Sequence, residues 1–189
     1  MSHTLFWYTS RGSGVVSTIL LSLVVILGIL SYGRWEARDW PRFLVLGLHR
    51  NLSLMMVAFI LLHVLTAVLD PYAHLGLMAA LVPLASRYRP LWVGLGVVAF
   101  ELVLALVASS LLRPWLGQRT WRGVHWLAYL AWPVSWAHGL GSGSDAHSSW
   151  MWLVNGLCLV PIAGALAWRV QARIRRARVE AVTGWSGAG

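Results

Sequence analysis

Four of the seven histidines fall into two pairs inside apolar stretches of the sequence. His49 and His63 are 14 residues apart, and His125 and His138 are 13 residues apart. Along a helix, which rises 1.5 Å per residue, these separations correspond to about 19–21 Å. Imidazole is a common metal ligand, and ionisable side chains inside membrane spans are functional candidates. The pattern predicts ligand sites at two depths of a bilayer; the alternative is that all four histidines are hydrogen-bonded packing residues.

The composition places these histidines in a membrane protein. Hydrophobic residues make up 58% of the 189 residues, charged residues make up 11%, and the mean hydropathy is +0.67. An ordinary soluble domain has about 25% charged residues, so that class is excluded. The single cysteine, Cys158, excludes a disulfide framework within the chain.

Runs of apolar residues predict the elements that position the histidines. A bilayer core about 30 Å thick needs about 20 apolar residues per helix. Runs of this length predict an all-α integral membrane bundle of about five transmembrane helices, near residues 14–33, 43–69, 91–112, 120–140 and 150–168. The first run lacks a signal-peptide cleavage pattern, so we expect it to be retained. Residues 71–90 are predicted to form an interfacial or re-entrant segment.

The arginines predict the orientation of the bundle. Eleven arginines fall in the connections on one side of the predicted spans and three on the other. Because positive charge concentrates on the cytoplasmic side, we expect the N-terminus outside and the C-terminus in the cytoplasm of a bacterial plasma membrane. The predicted organisation is an outer tail (1–13), a transmembrane domain (14–168) and a cytoplasmic basic tail (169–189). Contact with lipid headgroups, or docking of a cytoplasmic partner, accounts for the basic tail without nucleic acid.

This topology defines two sites of matched depth. The inner pair is His49 with His125, and the outer pair is His63 with His138. Two planar macrocycles stacked across the membrane, each held by two imidazoles, fit this spacing, which predicts two bis-histidine b haems. Thirteen residues at about 100° each miss the starting face by about 140°, so we expect a kink at Pro133 to turn His138 towards its partner.

Several motifs resemble the ferric reductase-like transmembrane domain family, which includes the ferric reductases, the NADPH oxidases and the haem subunit of the bacterial methionine sulfoxide reductase system. The matching segments are RGSG (11–14), LHRNLSL (48–54), LLHVLTAVLDP (61–71), YRPLW (88–92), WRGVHWLAYLAWP (121–133) and HGLGSGSD (138–145). The resemblance implies a haem-ligand role for His49, His63, His125 and His138. It implies a transmembrane oxidoreductase component that passes single electrons across the bilayer, similar to short, haem-only bacterial members.

Departures from the family pattern shape the expected partners. No Gly-rich dinucleotide fingerprint follows a strand, so the electrons are expected from a separate flavoprotein, from quinol, or from outside in the reverse direction. In the first two cases, they are expected to leave to an outer acceptor. Many relatives also have one more N-terminal helix. Two alternatives stay open: a single-haem, quinol-coupled subunit of a periplasmic reductase, and a cofactor-free scaffold or transporter subunit.

Three charged residues have two interpretations each. Arg50 and Arg122 lie at the depth of the inner pair, where they either bind haem propionates or anchor the cytoplasmic face. Glu101 lies within the third predicted span, where it is either a hydrogen-bonded packing carboxylate or part of a proton or quinone path.

Overall fold

The computed structural model describes residues 2–32, 41–71, 75–143, 145–146 and 148–185, and the regular structure of this part is entirely helical. The all-α prediction is therefore confirmed. In chain order the helices are α1 (Ser2–Tyr32), α2 (Arg42–Leu69), α3 (Leu77–Leu81), α4 (Pro90–Leu111), α5 (Arg113–His125), α6 (Ala128–Ser142) and α7 (Ser149–Trp185).

Four of these helices are long and apolar enough to cross a bilayer. The candidate spans are Leu5–Ser31 in α1, Phe43–Leu69 in α2, Pro90–Leu111 in α4 and Ser149–Val179 in α7. Each contains most or all of one predicted span, so the protein is a multi-pass membrane protein. Between α2 and α4 the described residues contain only the five-residue α3, which is too short to cross.

The fourth predicted span, residues 120–140, is not one regular helix. It begins in α5, passes through a turn at Trp126 and Leu127, and continues in α6, whose 15 residues extend about 22 Å. Both turn residues keep right-handed helical dihedral angles, so the path stays helical. Near the start of α5, Gly117 has φ of 72°, a left-handed conformation that glycine adopts without a steric penalty.

The predicted tails are also helical where they are described. Helix α1 starts at Ser2, so most of the predicted outer tail continues the first span as one helix. Helix α7 runs to Trp185, so the basic tail prolongs the last span. At 1.5 Å per residue, its 37 residues extend about 55 Å, well beyond a bilayer core about 30 Å thick.

Helix α1 lies at the centre of the bundle and packs against α2, α6 and α7. Its Leu21, Val25 and Ile29 join the buried core, and Ile29 has no exposed surface. Buried serines such as Ser17 donate a hydrogen bond from the hydroxyl group to the carbonyl oxygen one turn earlier in the helix. Small residues of this kind allow close approach of neighbouring helices in a membrane. A central α1 brings backbone carbonyl groups close to histidines carried by α2.

One buried hydrogen bond ties α6 to this central helix. The indole nitrogen of Trp132 donates to the Ser22 hydroxyl oxygen at 2.8 Å, and both side chains are buried. Because Trp132 lies between His125 and His138 in sequence, this bond helps to fix the helix that carries the outer ligand candidate.

Candidate functional site

The outer pair brings together side chains from α2 and α6. The ring centroids of His63 and His138 are 6.2 Å apart, and their planes form an angle of 76°. His63 Nδ1 lies 2.7 Å from the Ser10 carbonyl oxygen, and His138 Nδ1 lies 2.7 Å from the Trp92 carbonyl oxygen. A carbonyl only accepts, so each Nδ1 carries the hydrogen and each Nε2 keeps its lone pair. Ser142 Oγ lies 3.4 Å from His138 Nε2, but its hydroxyl donates to the His138 carbonyl oxygen. A protonated Nδ1 with an unprotonated Nε2 is the arrangement in which histidine binds a metal through Nε2.

The inner pair has the same ring separation and a different environment. The centroids of His49 and His125 are 6.3 Å apart, with 63° between the planes. His49 Nδ1 donates to the Val24 carbonyl oxygen at 3.0 Å. His125 Nδ1 is buried without a hydrogen-bond partner in the described part of the chain. Trp121 stacks on the His125 ring at 4.9 Å, which fixes the plane of the imidazole instead.

The turn between α5 and α6 helps to explain how His125 and His138 both face α2. The backbone amides of Leu127, Tyr129 and Leu130 each donate to the carbonyl three residues earlier. This is 3₁₀ geometry, which advances about 120° per residue instead of about 100°. The three bonds recover roughly 60° of the 140° mismatch, at about 20° each. Part of the rotation thus arises before Pro133, which lies inside α6, and a bend at Pro133 stays a prediction.

Glycines on neighbouring helices give the imidazoles room. A Cβ at Gly96 of α4 would lie 2.5 Å from His138 Cε1, which real contacts essentially never show. A Cβ at Gly14 of α1 would lie 3.0 Å from the His63 ring, and one at Gly28 would lie 3.5 Å from the His49 ring. The close approach of α1 and α4 to the rings thus depends on the missing side chains, above all at Gly96.

Gly141 allows the close contact between α6 and α4 that brings the Trp92 carbonyl to His138. The Trp92 ring packs directly over Gly141, where a Cβ would overlap the indole. Arg89 donates to the Gly141 carbonyl oxygen at 2.6 Å. These contacts hold the start of α4 against the end of α6, so that the Trp92 carbonyl meets the imidazole.

The outer pair lines a cavity of about 600 Å³, within the usual range of about 300–1,000 Å³ for ligand pockets. Apolar side chains of α1, α2, α4 and α7 form most of its wall. Two guanidinium groups also line it: Arg11, which pairs with Asp145 at 3.0 Å, and Arg89. The buried carboxylate Asp70 lines it as well. The cavity is therefore largely apolar and carries charged groups of both signs.

The two arginines and the acid singled out from the sequence are exposed. Arg50 is the chain neighbour of His49, and Arg122, three residues before His125, donates its Nε hydrogen to the Gln118 carbonyl oxygen of its own helix at 3.4 Å. A role of either arginine in binding haem propionates stays a prediction. Glu101 is exposed at the middle of α4, which does not match a packing carboxylate.

Sequence reasoning did not identify Arg11 and Arg89 as site residues. Arg11 belongs to the RGSG segment and Arg89 to the YRPLW segment, which both resemble the family. Their positions in the cavity wall depend on tertiary contacts, which these segments do not reveal. No sequence signal marks the carbonyl groups of Ser10, Val24 and Trp92, because a backbone acceptor has no side-chain identity. His74 and His147 fall between predicted spans on the outer side, so the sequence predicts them in outer loops; both lie outside the described residues.

Each pair offers two protein ligands. Within the described ranges, no three His, Cys, Asp or Glu side chains cluster together. A metal held by either pair would thus take its other ligands from the bound group, as iron does in a macrocycle.

Comparison with known proteins identifies one family. The family model described as "Ferric reductase like transmembrane component" matches residues 13–136, about two thirds of the chain. The match includes His49, His63 and His125 and ends two residues before His138. No curated protein and no solved structure matches the chain significantly.

Proposed function

The chain belongs to the family of ferric reductase-like transmembrane components, and we propose that it is a b-type cytochrome with two bis-histidine haems. Membership makes it a membrane electron-transfer component. In the proposed assignment, His49 and His125 hold the inner haem, and His63 and His138 hold the outer haem.

The geometry of the two histidine pairs carries this proposal. Two imidazoles that share one metal, at about 2.0–2.1 Å each and with about 1 Å from nitrogen to ring centroid, have centroids about 6 Å apart. The observed separations are 6.2 and 6.3 Å. Three of the four Nδ1 atoms also donate to backbone carbonyls, which leaves Nε2 available to a metal.

The outer cavity supports the same assignment. Its volume and apolar wall suit a large planar group, and two arginines of the lining, Arg89 and the Asp145-paired Arg11, have the donor geometry that suits carboxylates. Haem, when bound, supplies a one-electron ferric/ferrous couple. The protein's own part is to hold two such groups at two depths: His49 and His63 are separated by about 21 Å along α2.

We also propose a separate electron donor, a flavoprotein or a quinol, and an acceptor on the outer side. The 189 residues contain no Gly-rich dinucleotide fingerprint, and the regular structure of the described part is helical, so these helices offer no recognisable nicotinamide site. The inner pair would receive electrons and the outer pair would pass them on.

Spectroscopy of the purified protein tests the assignment. In detergent, we expect Soret and α-band absorbance and about two b haems per chain by pyridine haemochrome assay. His49→Ala or His125→Ala should remove one haem, and His63→Ala or His138→Ala should remove the other. His147→Ala, a histidine predicted in an outer loop, serves as the control and should keep both haems.

Each possible stoichiometry has a distinct meaning. One haem in the wild-type protein, lost through only one pair, would favour a single-haem subunit. Absence of haem absorbance in protein that is folded and expressed with sufficient haem would rule out the cytochrome assignment.

A further inference from the structure

Two side-chain N–H donors in the wall of the outer cavity have no acceptor within the described part of the protein. They are Nδ2 of Asn155 on α7 and Nε1 of Trp136 on α6. Asn155 is only 5% exposed, and the Trp136 nitrogen is buried. An unsatisfied buried donor is unfavourable, and buried polar groups nearly always have partners. These two donors therefore indicate a bound group in the cavity.

Both donors lie close to the level of the outer ligand pair. Asn155 is six residues from the start of α7, and Trp136 is six residues from the end of α6, which is about 9 Å along each helix. His63 is likewise six residues from the end of α2. Trp136 precedes His138 by two residues, and both line the same cavity.

We propose that Asn155 and Trp136 are positioning residues that direct their N–H groups at the outer haem and raise its reduction potential. This inference rests on the haem assignment above. The positive end of an N–H dipole stabilises the added electron of the ferrous state, and hydrogen bonds around a cofactor are an established means of setting its potential. In a low-dielectric membrane interior, this effect is little screened by water.

The inner pair provides a matched counterpart. Trp121 Nε1 is also buried without an acceptor among the described residues, and its ring stacks on His125. Arg113 lies over the Trp121 ring, with its guanidinium carbon 4.3 Å from the ring centroid. Trp121 should therefore act on the inner haem as Trp136 acts on the outer haem, and the two effects should be separable.

Redox titration of the haem-loaded protein, followed by its α-band, tests the proposal. Trp136→Phe keeps an aromatic ring without the N–H, and Asn155→Leu keeps a similar volume without a donor. To identify the haem, each is made in the His49→Ala background, which should retain only the outer haem. Both should lower the remaining midpoint potential relative to the parent, and Asn155→Gln, which keeps the donor, should lower it less than Asn155→Leu.

Two reciprocal controls make the result specific. Trp121→Phe in the His63→Ala background should lower the inner midpoint, whereas Trp136→Phe in that background should leave it unchanged. Trp152→Phe, at an exposed position of α7, should change neither haem.

The outcomes distinguish this inference from the haem assignment itself. An unchanged outer midpoint in both Trp136→Phe and Asn155→Leu would overturn the inference while two haems are still present. Equal shifts of both haems by Trp136→Phe would also overturn it, because that result indicates a general change in the bundle. If Asn155→Leu fails to fold, Trp136→Phe decides alone. A wild-type protein without haem instead refutes the proposed function.

Discussion

The outer and inner histidine pairs have nearly equal ring separations but unequal support. At the outer pair, both imidazoles donate to backbone carbonyls at 2.7 Å. At the inner pair, His49 donates at 3.0 Å, and His125 Nδ1 has no partner in the described structure. Hydrogen bonds thus orient both histidines of the outer pair. In the inner pair a hydrogen bond orients His49, whereas stacking on Trp121 orients His125.

The glycines follow the same division. The Cβ positions of Gly96 and Gly14 fall 2.5 and 3.0 Å from the outer imidazoles, whereas that of Gly28 falls 3.5 Å from His49, an ordinary contact distance. The outer site is closely fitted by two neighbouring helices, and the inner site is fitted more loosely. Close packing fixes ligand geometry but leaves little tolerance for added volume.

The largest expected effect of this difference is at Gly96. In Gly96→Ala, the new methyl group should displace His138, and the haem content should fall from about two to about one per chain by pyridine haemochrome assay. Gly12→Ala is the control, because a Cβ there meets no atom within 4 Å and alanine is the better helix former. Two haems with wild-type spectra in Gly96→Ala would show that the outer ligand is not tightly enclosed.

A smaller effect is expected when Gly14 and Gly28 are compared. At Gly14 the His63 ring must move by a few tenths of an ångström, so Gly14→Ala should weaken retention of the outer haem without abolishing binding. Gly28→Ala should retain haem like the wild type. The measurement is the fraction of haem kept after challenge with excess apomyoglobin. Equal losses in the two variants would contradict the proposed asymmetry.

The smallest expected effect concerns exchange of an axial ligand. An imidazole without an Nδ1 acceptor is a less basic ligand, so His125 should leave more readily than either outer histidine. After reduction, carbon monoxide should bind to a minor fraction of the haem, seen in the difference spectrum. That fraction should persist in His63→Ala, which loses the outer haem. Carbon monoxide binding only at the outer haem would show that an outer histidine dissociates more readily than His125, which contradicts the prediction.

Much of the scaffold was predictable from local sequence. The apolar run of α2 and the spacing of His49 and His63 predict a helix with two ligands at two depths, since both depend only on helix rise and bilayer thickness. The break at Trp126–Leu127 was not predicted, because neither residue is a proline or a glycine and the expected rotation was assigned to Pro133 alone. The propionate interpretation of Arg50 and Arg122 used depth alone, whereas the tertiary structure also brings Arg11 and Arg89 to the wall of the outer cavity.

The sequence by itself determined a helical membrane protein and the heights of its four histidines, because hydrophobic length and helical period are local properties. Only the tertiary structure decided which carbonyl groups orient His49, His63 and His138 and which glycines leave room for their rings. Ser10 meets His63 across 53 residues of sequence, and Trp92 meets His138 across 46. Such contacts arise when helices pack together, so the difference between a firmly held outer pair and a looser inner pair is a property of the bundle.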